Sequence, residues 1–232
     1  MSILIIKDTL IEDIVKGVKQ DLAEEYHPKK IEKPKAIKPE KIILMPKHGK
    51  ESGFIASCML ESRENKMLSY DHKDYHALLI INRVLGGCSL YSRIWDKIRE
   101  EMGLVYTIST NISNIDFFPL ITCYGSCSNG NTKEVVKLIK EEWGKIYNIS
   151  ENEFNDAKKG IIGSIKVSLI GSLSVANRLL HDKIRGRKIN HIDEKIMSIQ
   201  NITYDDAKVA ARHYFDPQKL SFIVVGNAKM EN

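Results

Sequence analysis

Length, composition and charge limit the classes of protein to which this chain can belong. It has 232 residues, 43% of them hydrophobic, which is enough for one large domain or two small ones with a sizeable core. Its 35 basic and 30 acidic residues are mixed along the sequence, and the net charge of +5 is too small to predict nucleic-acid binding.

Targeting and redox signals point to an unexported protein. No apolar stretch approaches the roughly 20 residues that span a bilayer, and Lys7 and Asp8 interrupt the opening apolar residues before a signal peptide could form. We therefore expect a cytoplasmic protein with no membrane span.

Four cysteines are too few for a disulfide scaffold, so the sequence predicts free, buried thiols at Cys58, Cys88, Cys123 and Cys127.

The first 40 residues are predicted to lead into a domain that spans residues 41–232. Thr9 and Glu12 have the spacing of a capping box, and apolar residues follow at helical intervals, which predicts an amphipathic helix over residues 10–25. Residues 27–41 combine three prolines with many lysines, a composition that favours an extended, solvated linker.

The first part of the domain alternates predicted strands and helices. Strands are predicted for Lys41–Pro46 and Gly53–Glu61. Residues 72–85 form an apolar helix that Gly86 and Gly87 stop, and a second helix over residues 89–102 ends at Gly103. The β-rich segments VYTISTNIS and PLITCYGSCS then predict a hairpin or meander.

The second part is mostly helical and closes with a strand. A helix is predicted over residues 131–143, and Ser150 and Glu153 form a capping box that opens another. Helices continue to about residue 186, the last helix spans residues 203–214, and residues 220–225 form an apolar strand. Since strand pairs alternate with helix pairs, we expect an α+β fold with an antiparallel-rich sheet and helices on one face.

One ordered string carries a family resemblance. LGGCSLYSRIWDKIREEMGLVYTIS, residues 85–109, resembles the C-terminal half of M16 zinc peptidases of the pitrilysin and mitochondrial-processing-peptidase type. That half has a glycine-rich helix end, a Ser-Arg-Leu-aromatic step and an Arg-Glu-x-x-Gly-Leu-x-Tyr run in the same order. ISENEFNDAKKGI and NITYDDAKVAARHYFDP match later parts of it. The resemblance implies a metallohydrolase half-domain fold shared with LuxS and mitochondrial processing peptidase.

The zinc motif of the family's catalytic half is missing from this sequence. That half carries His-x-x-Glu-His, in which two histidines bind zinc and the glutamate is the general base. The nearest string here is His72-Lys-Asp-Tyr-His76, in which Tyr75 replaces the base, and Glu153 is the only third ligand that spacing suggests. Because Glu153 is already explained by the capping box, we expect solvated helix-end histidines, no metal in this chain, and zinc in a partner half.

Arg99 and Tyr106 are the candidate catalytic residues that the resemblance implies. In the family, the equivalent pair reaches the zinc site of the other half and contacts the substrate backbone and the oxyanion. From spacing alone, Arg99 could instead pair with Asp96, Glu100 or Glu101, and Tyr106 could be an ordinary strand residue.

The function implied is that of a non-catalytic half of a zinc metallopeptidase, inactive alone and acting on unfolded peptides. Its partner would be a His-x-x-Glu-His half, on a separate chain or on a segment that this chain lacks, and self-association as a dimer is a further expectation. The alternative is a proteolytically inactive structural or assembly subunit of the same fold.

Overall fold

The computed structural model describes residues 42–62, 68, 72–88, 91–115, 118–184, 186–188 and 190–228. The predicted helix over residues 10–25 and the predicted linker over residues 27–41 lie outside the described residues. The chain divides into two compact units. Of the described residues, the larger unit contains 42–165 and 195–228, and the smaller contains the remainder.

The larger unit is built on a five-stranded sheet with the order β1-β5-β2-β4-β3. Three of its four strand pairings are antiparallel, which confirms the predicted antiparallel-rich sheet, whereas β1 pairs with β5 in parallel. The strands are β1 Ile42–Pro46, β2 Glu51–Met59, β3 Val105–Ile115, β4 Phe118–Ser128 and β5 Ser221–Gly226.

Helices cover one face of this sheet, as predicted. In β2, Phe54, Ala56 and Cys58 are buried while Ile55 is 48% exposed, because successive strand residues point to opposite faces. Phe54 pairs with the buried Val224 of β5, so the two strands turn apolar side chains to the same core.

The helices follow the predicted order with one addition. They are α1 Lys73–Leu85, a π-helix Trp95–Glu101, α2 Thr132–Lys145, α3 Glu151–Ser168, α4 Ser172–Ile184, α5 His191–Asn201 and α6 Tyr204–Tyr214. Helix α5 was not predicted, although Ile192, Ile196 and Ile199 recur at helical spacing within it. Among the described helices none alone is long and apolar enough to cross a bilayer; α3 and α4 meet that test only when counted together as one broken segment.

The smaller unit contains a buried carboxylate between two arginines. Asp182 of α4 is 4% exposed. Its oxygens lie 3.1 Å from Nε of Arg178 and 3.4 Å from Nη1 of Arg187. Both guanidinium groups compensate the burial of this charge.

The cysteines are free, as predicted, but not equally buried. Cys58, Cys123 and Cys127 are buried, whereas Cys88 is partly exposed. Burial raises the pKa of the Cys123 thiol to about 12, and that of Cys58 to about 11. These two thiols are therefore protonated and unreactive near neutral pH.

Candidate functional site

Arg99 lies on the π-helix Trp95–Glu101, in the segment predicted as a helix over residues 89–102. Residues 91 and 92 are not helical, so the observed helix begins later than predicted. The Arg99 guanidinium stacks on the buried Trp95, with Cζ 4.0 Å from the ring centroid. This cation–π contact holds the group in place while leaving its N–H donors largely unused.

The π-helix ends at Glu101, two residues after Arg99. Gly103 has φ +61°, a left-handed conformation that glycine adopts without strain, and its N–H donates to the Arg99 carbonyl at 3.0 Å. The prediction that Gly103 ends this helix is confirmed. The chain therefore turns into β3 only a few residues beyond the Arg99 side chain.

Tyr106 occupies a β-bulge at the start of β3. Val105 pairs with Cys127 and Thr107 with Ser126, so Tyr106 is an extra residue between two consecutive pairs. Its side chain is 59% exposed. Gly125 of β4 makes the bulge sterically feasible, because a Cβ there would meet the Phe54 ring at 2.7 Å and collide with the Thr107 carbonyl.

The structure thus places Arg99 and Tyr106 on consecutive elements, each with an accessible polar group. The side chain of Arg99 is 39% exposed, and its only ion pair among the described residues is a long contact of 3.6 Å to Glu100. Glu101 is instead 2.6 Å from Lys97. The ion pairs considered as an alternative role for Arg99 are therefore weak or absent in the described residues.

Tyr106 lies on a sheet that is open on the face opposite the helices. Ile223, Ile55 and Tyr124 are paired across three neighbouring strands, and all three are more than 40% exposed. Together they form a shallow apolar surface, which we call the open sheet face.

Arg93, which fixes the start of this helical segment, was not identified from the sequence. Arg93 donates from Nε and Nη2 to the two oxygens of Glu153, at 2.7 and 2.8 Å, and from its guanidinium to the carbonyls of Lys145 and Asn148, at 3.3 and 3.0 Å. One arginine therefore ties the start of the helix to the end of α2 and the start of α3. The available signal was its place in the Ser-Arg-Ile-Trp string.

Glu153 serves this ion pair and the predicted capping box at once. The Ser150 N–H and Oγ donate to its Oε2 at 2.8 and 2.7 Å, and the Glu153 N–H donates to Ser150 Oγ at 3.2 Å, which confirms the capping box. The Arg93 guanidinium and then the Ser150 donors lower the pKa of Glu153 to about 2.

The weak metal candidates do not form a zinc site. His72 Nδ1 accepts a hydrogen bond from the Asp74 N–H at 3.1 Å, and the oxygens of Glu153 are engaged as described above. The expectation that both histidines are solvated is wrong for His76, which lies on the core-facing side of α1 and is 6% exposed. No group of three or more His, Cys, Asp or Glu side chains arranged for a metal occurs among the described residues. This donor set does not fit zinc.

Comparison with known proteins assigns the family. A family model described as the peptidase M16 inactive domain matches residues 9–161, more than half of the chain. The chain belongs to the M16 inactive-domain family. The resemblance to the non-zinc-binding half of these peptidases is thereby confirmed.

Individual relatives agree with this M16 assignment. An uncharacterized zinc protease of Bacillus subtilis is 26% identical over 152 residues, covering 65% of this chain and 37% of that protein. The chain therefore spans little more than a third of the length of this relative.

Solved structures share the fold at low sequence identity. The peptidase M16 inactive domain from Pseudomonas fluorescens has a TM-score of 0.77 at 17% identity, covering 98% of this chain and 52% of that one. A protease from Helicobacter pylori has a TM-score of 0.73 at 14% identity, covering 95% and 53%.

Proposed function

We propose that this M16 inactive domain supplies substrate-binding and oxyanion-stabilising residues to a partner half that holds zinc in a His-x-x-Glu-His motif. Arg99 and Tyr106 are the residues assigned this role. The supporting observation is that the Arg99 guanidinium and the Tyr106 phenol are exposed on adjacent elements. Arg99 lies near the end of the π-helix at Gly103, and Tyr106 lies in a β-bulge.

The chemistry of the two side chains suits this role. Cleavage of a peptide bond by water places negative charge on the former carbonyl oxygen, and donors aimed at that charge in a water-poor site accelerate the reaction by roughly 10²–10³-fold each. A guanidinium stacked on Trp95 and a phenol held by a bulge are both oriented before substrate arrives. Little reorganisation is then needed in the transition state.

The proposed roles of the two halves depend on which catalytic groups this chain contains. Its described histidines and carboxylates do not assemble a zinc site, so the metal, the general base and the attacking water would belong to the partner half. The open sheet face adjoins Thr107, the residue after Tyr106, and offers an apolar surface to an unfolded peptide. The partner could be a separate chain or a segment of a longer protein.

The experiment is reconstitution with a His-x-x-Glu-His half, isolated by mild affinity purification from the host. Zinc-dependent cleavage of an unstructured fluorogenic peptide is measured for the parent pair and for Arg99→Ala and Tyr106→Phe. We expect kcat/KM to fall by roughly 10²-fold or more for each variant, because each loses one donor to the oxyanion.

Arg212→Ala is the matched control, because Arg212 is an exposed arginine on α6. Assembly of each variant with the partner is checked by size-exclusion chromatography. Unchanged cleavage by an assembled Arg99→Ala pair would overturn the catalytic assignment and favour the structural-subunit alternative.

A further inference from the structure

The open sheet face extends onto the edge strand β1. Ile43 pairs with Ile223, which pairs in turn with Ile55, and Met45 pairs with Val225 in the next row of the sheet. Ile43 is 42% exposed and Met45 is 54% exposed. Exposed apolar side chains therefore continue across the sheet from β1 to β4. A continuous exposed patch of this kind marks a binding surface, whereas single exposed apolar side chains do not.

Gly53 leaves a recess in this surface. It lies between Val225 of β5 and Ser126 of β4, and a Cβ built on it would meet nothing within 4 Å. The recess has a volume of about 460 Å³, and Ile55 and Tyr124 are among the side chains that line it. Glycine inside a strand weakens the strand and often marks the close approach of a ligand. Here the missing side chain leaves space for an apolar side chain of a bound molecule.

The β-bulge turns Tyr106 to the same side of the sheet. Val105 and Ile108 are buried, whereas the two residues between them, Tyr106 and Thr107, are both exposed. Thr107 also lines the recess over Gly53. In a regular strand successive side chains alternate between the two faces, so the extra residue of the bulge places both side chains on the side of the open sheet face.

The loop between β1 and β2 gives the recess a basic rim. It contributes to a second recess of about 590 Å³, which adjoins the first at Gly53 and Val225. The titratable side chains that line this second recess are Lys47, His48, Lys50 and Glu51. Two lysines against one carboxylate attract a carboxylate of a ligand and repel an ammonium group.

The strand spacing sets the length of ligand that would reach all three features. Adjacent strands lie about 4.8 Å apart, so Gly53 on β2 is about 10 Å from Tyr106 on β3, and the end of β1 is about 19 Å from it. An extended peptide advances roughly 3.3 Å per residue. A peptide held at Tyr106 would therefore reach the recess after about three residues and the basic rim after five or six.

We propose that the open sheet face binds an extended peptide through an apolar side chain in the recess over Gly53 and a carboxylate at Lys47 and Lys50. This occupant complements both the apolar surface and the positive rim, and its path is continuous with Tyr106. The inference rests on the proposed function in one respect, that the same peptide would be the substrate. The preferred substrates are then unfolded peptides with an apolar residue about three positions from the cleaved bond and an acidic residue about three positions further.

The first test titrates probe peptides into the isotope-labelled full-length chain and follows its amide resonances by NMR. The main probe is acetyl-Ser-Gly-Phe-Gly-Ser-Glu-Gly-Ser-amide, made also in the reverse order. Its controls replace the phenylalanine with serine or the glutamate with lysine. We expect the main probe, in one of the two orders, to bind with a Kd of about 1 mM or tighter and to shift the resonances of Gly53 and Lys50. The serine control should bind at least about tenfold more weakly, and the lysine control about fivefold.

The second test fills the recess. Gly53→Leu adds a side chain where a Cβ meets nothing, so we expect the fold to be kept and the affinity for the main probe to fall at least about tenfold. Gly163→Leu on α3 is the matched control, since a Cβ there also meets nothing within 4 Å. Circular dichroism establishes that both variants are folded. The probe comparison uses the unmodified chain and holds even if a variant misfolds.

The third test reverses the charge of the rim. In the double variant Lys47→Glu with Lys50→Glu, we expect the lysine control to bind more tightly than the main probe. The matched control is the double variant Lys137→Glu with Lys159→Glu, which changes two exposed lysines on α2 and α3. It should leave the order of the affinities unchanged.

The fourth test maps cleavage by the reconstituted pair. A longer unstructured peptide that contains the Phe-Gly-Ser-Glu motif is digested and its products are identified by mass spectrometry. We expect cleavage about three residues from the phenylalanine. Cleavage at positions unrelated to the motif would overturn the substrate preference.

Three binding results would overturn the site. They are equal affinity of the main probe and its two controls, unchanged affinity in both Gly53→Leu and the Lys47/Lys50 double variant, and no binding of any probe below about 10 mM. Self-association of the chain that Gly53→Leu abolishes, measured by light scattering, would also overturn it and assign the face to a second copy. The binding tests need neither a partner half nor zinc, so their failure is distinguishable from unchanged cleavage in Arg99→Ala.

Discussion

Arg93 and Arg99 belong to one short helical segment but have opposite environments. All the donors of Arg93 that contact protein are directed at Glu153 and two backbone carbonyls. Arg99 is held by the face of Trp95, and among the described residues its only ion pair is the long contact to Glu100. A guanidinium whose donors are satisfied internally stabilises the fold, whereas one that is oriented but unsatisfied remains available to a ligand.

Arg93→Ala should have the largest effect on stability. It leaves Glu153 without its counter-ion and removes donors from the carbonyls of Lys145 and Asn148, so we expect the free energy of unfolding to fall by about 2–3 kcal/mol. Urea unfolding monitored by circular dichroism measures the change, with Arg212→Ala as the exposed control. A decrease in the free energy of unfolding below about 0.5 kcal/mol would show that the contacts of Arg93 do not stabilise the fold.

Gly125→Ala tests whether the bulge presents Tyr106. The added methyl group would collide with Phe54 and the Thr107 carbonyl, so we expect a loss of about 1–2 kcal/mol and shifted amide resonances at residues 105–108. The control is Gly130→Ala, where a Cβ meets nothing within 4 Å. Unmoved resonances around Tyr106 would mean that the bulge does not depend on this glycine.

The stabilisation that the Arg93–Glu153 ion pair contributes should also depend on pH. Because the folded-state pKa of Glu153 is lowered from 4.5 to about 2, its contribution is complete above pH 4.5 and is lost as the pH falls towards 2. The Glu153 side chain is 35% exposed, so solvent screens the ion pair in part, and we expect a stability difference of only about 1 kcal/mol between the parent and Glu153→Gln, which closes over this range. Chemical unfolding at a series of pH values measures it; a difference that stays constant down to pH 2 would contradict the assignment.

Arg99→Ala should change stability least. Only a half-exposed stacking contact and a long ion pair are lost, so we expect a decrease of about 0.5 kcal/mol together with altered Trp95 fluorescence. Trp143→Phe, which removes the other tryptophan, isolates this signal. A decrease in the free energy of unfolding as large as that of Arg93→Ala would show that Arg99 stabilises the fold as strongly as Arg93 does.

Much of the fold was predictable because its signals are local. The capping box at Ser150, the helix stop at Gly103 and the alternating pattern of β2 are each encoded within a few residues, and the structure contains all three. Helix α5 was missed although Asn190, a common N-cap residue, precedes it and Asp193 and Glu194 lie in its first turn. The parallel pairing of β1 with β5 joins strands from opposite ends of the domain, and no local pattern encodes it.

The candidate site was only partly predictable for the same reason. Arg99 and Tyr106 were found through a family motif, whereas the stacking on Trp95, the bulge at Tyr106 and the Arg93–Glu153 pair depend on contacts between separate elements. The solvated state expected for His76 was wrong because a helical histidine is buried or exposed according to what packs on that face of α1.

The sequence by itself determined the M16 family, the α+β class, the helix boundaries with strong caps and the missing His-x-x-Glu-His motif. Those features depend on residue identity and short-range spacing. Only the tertiary structure decided which of two nearby arginines forms an ion pair within the fold and which stacks on Trp95 with its donors accessible. Partner, burial and charge environment are set by residues distant in the chain, so they exist only once the elements have packed together.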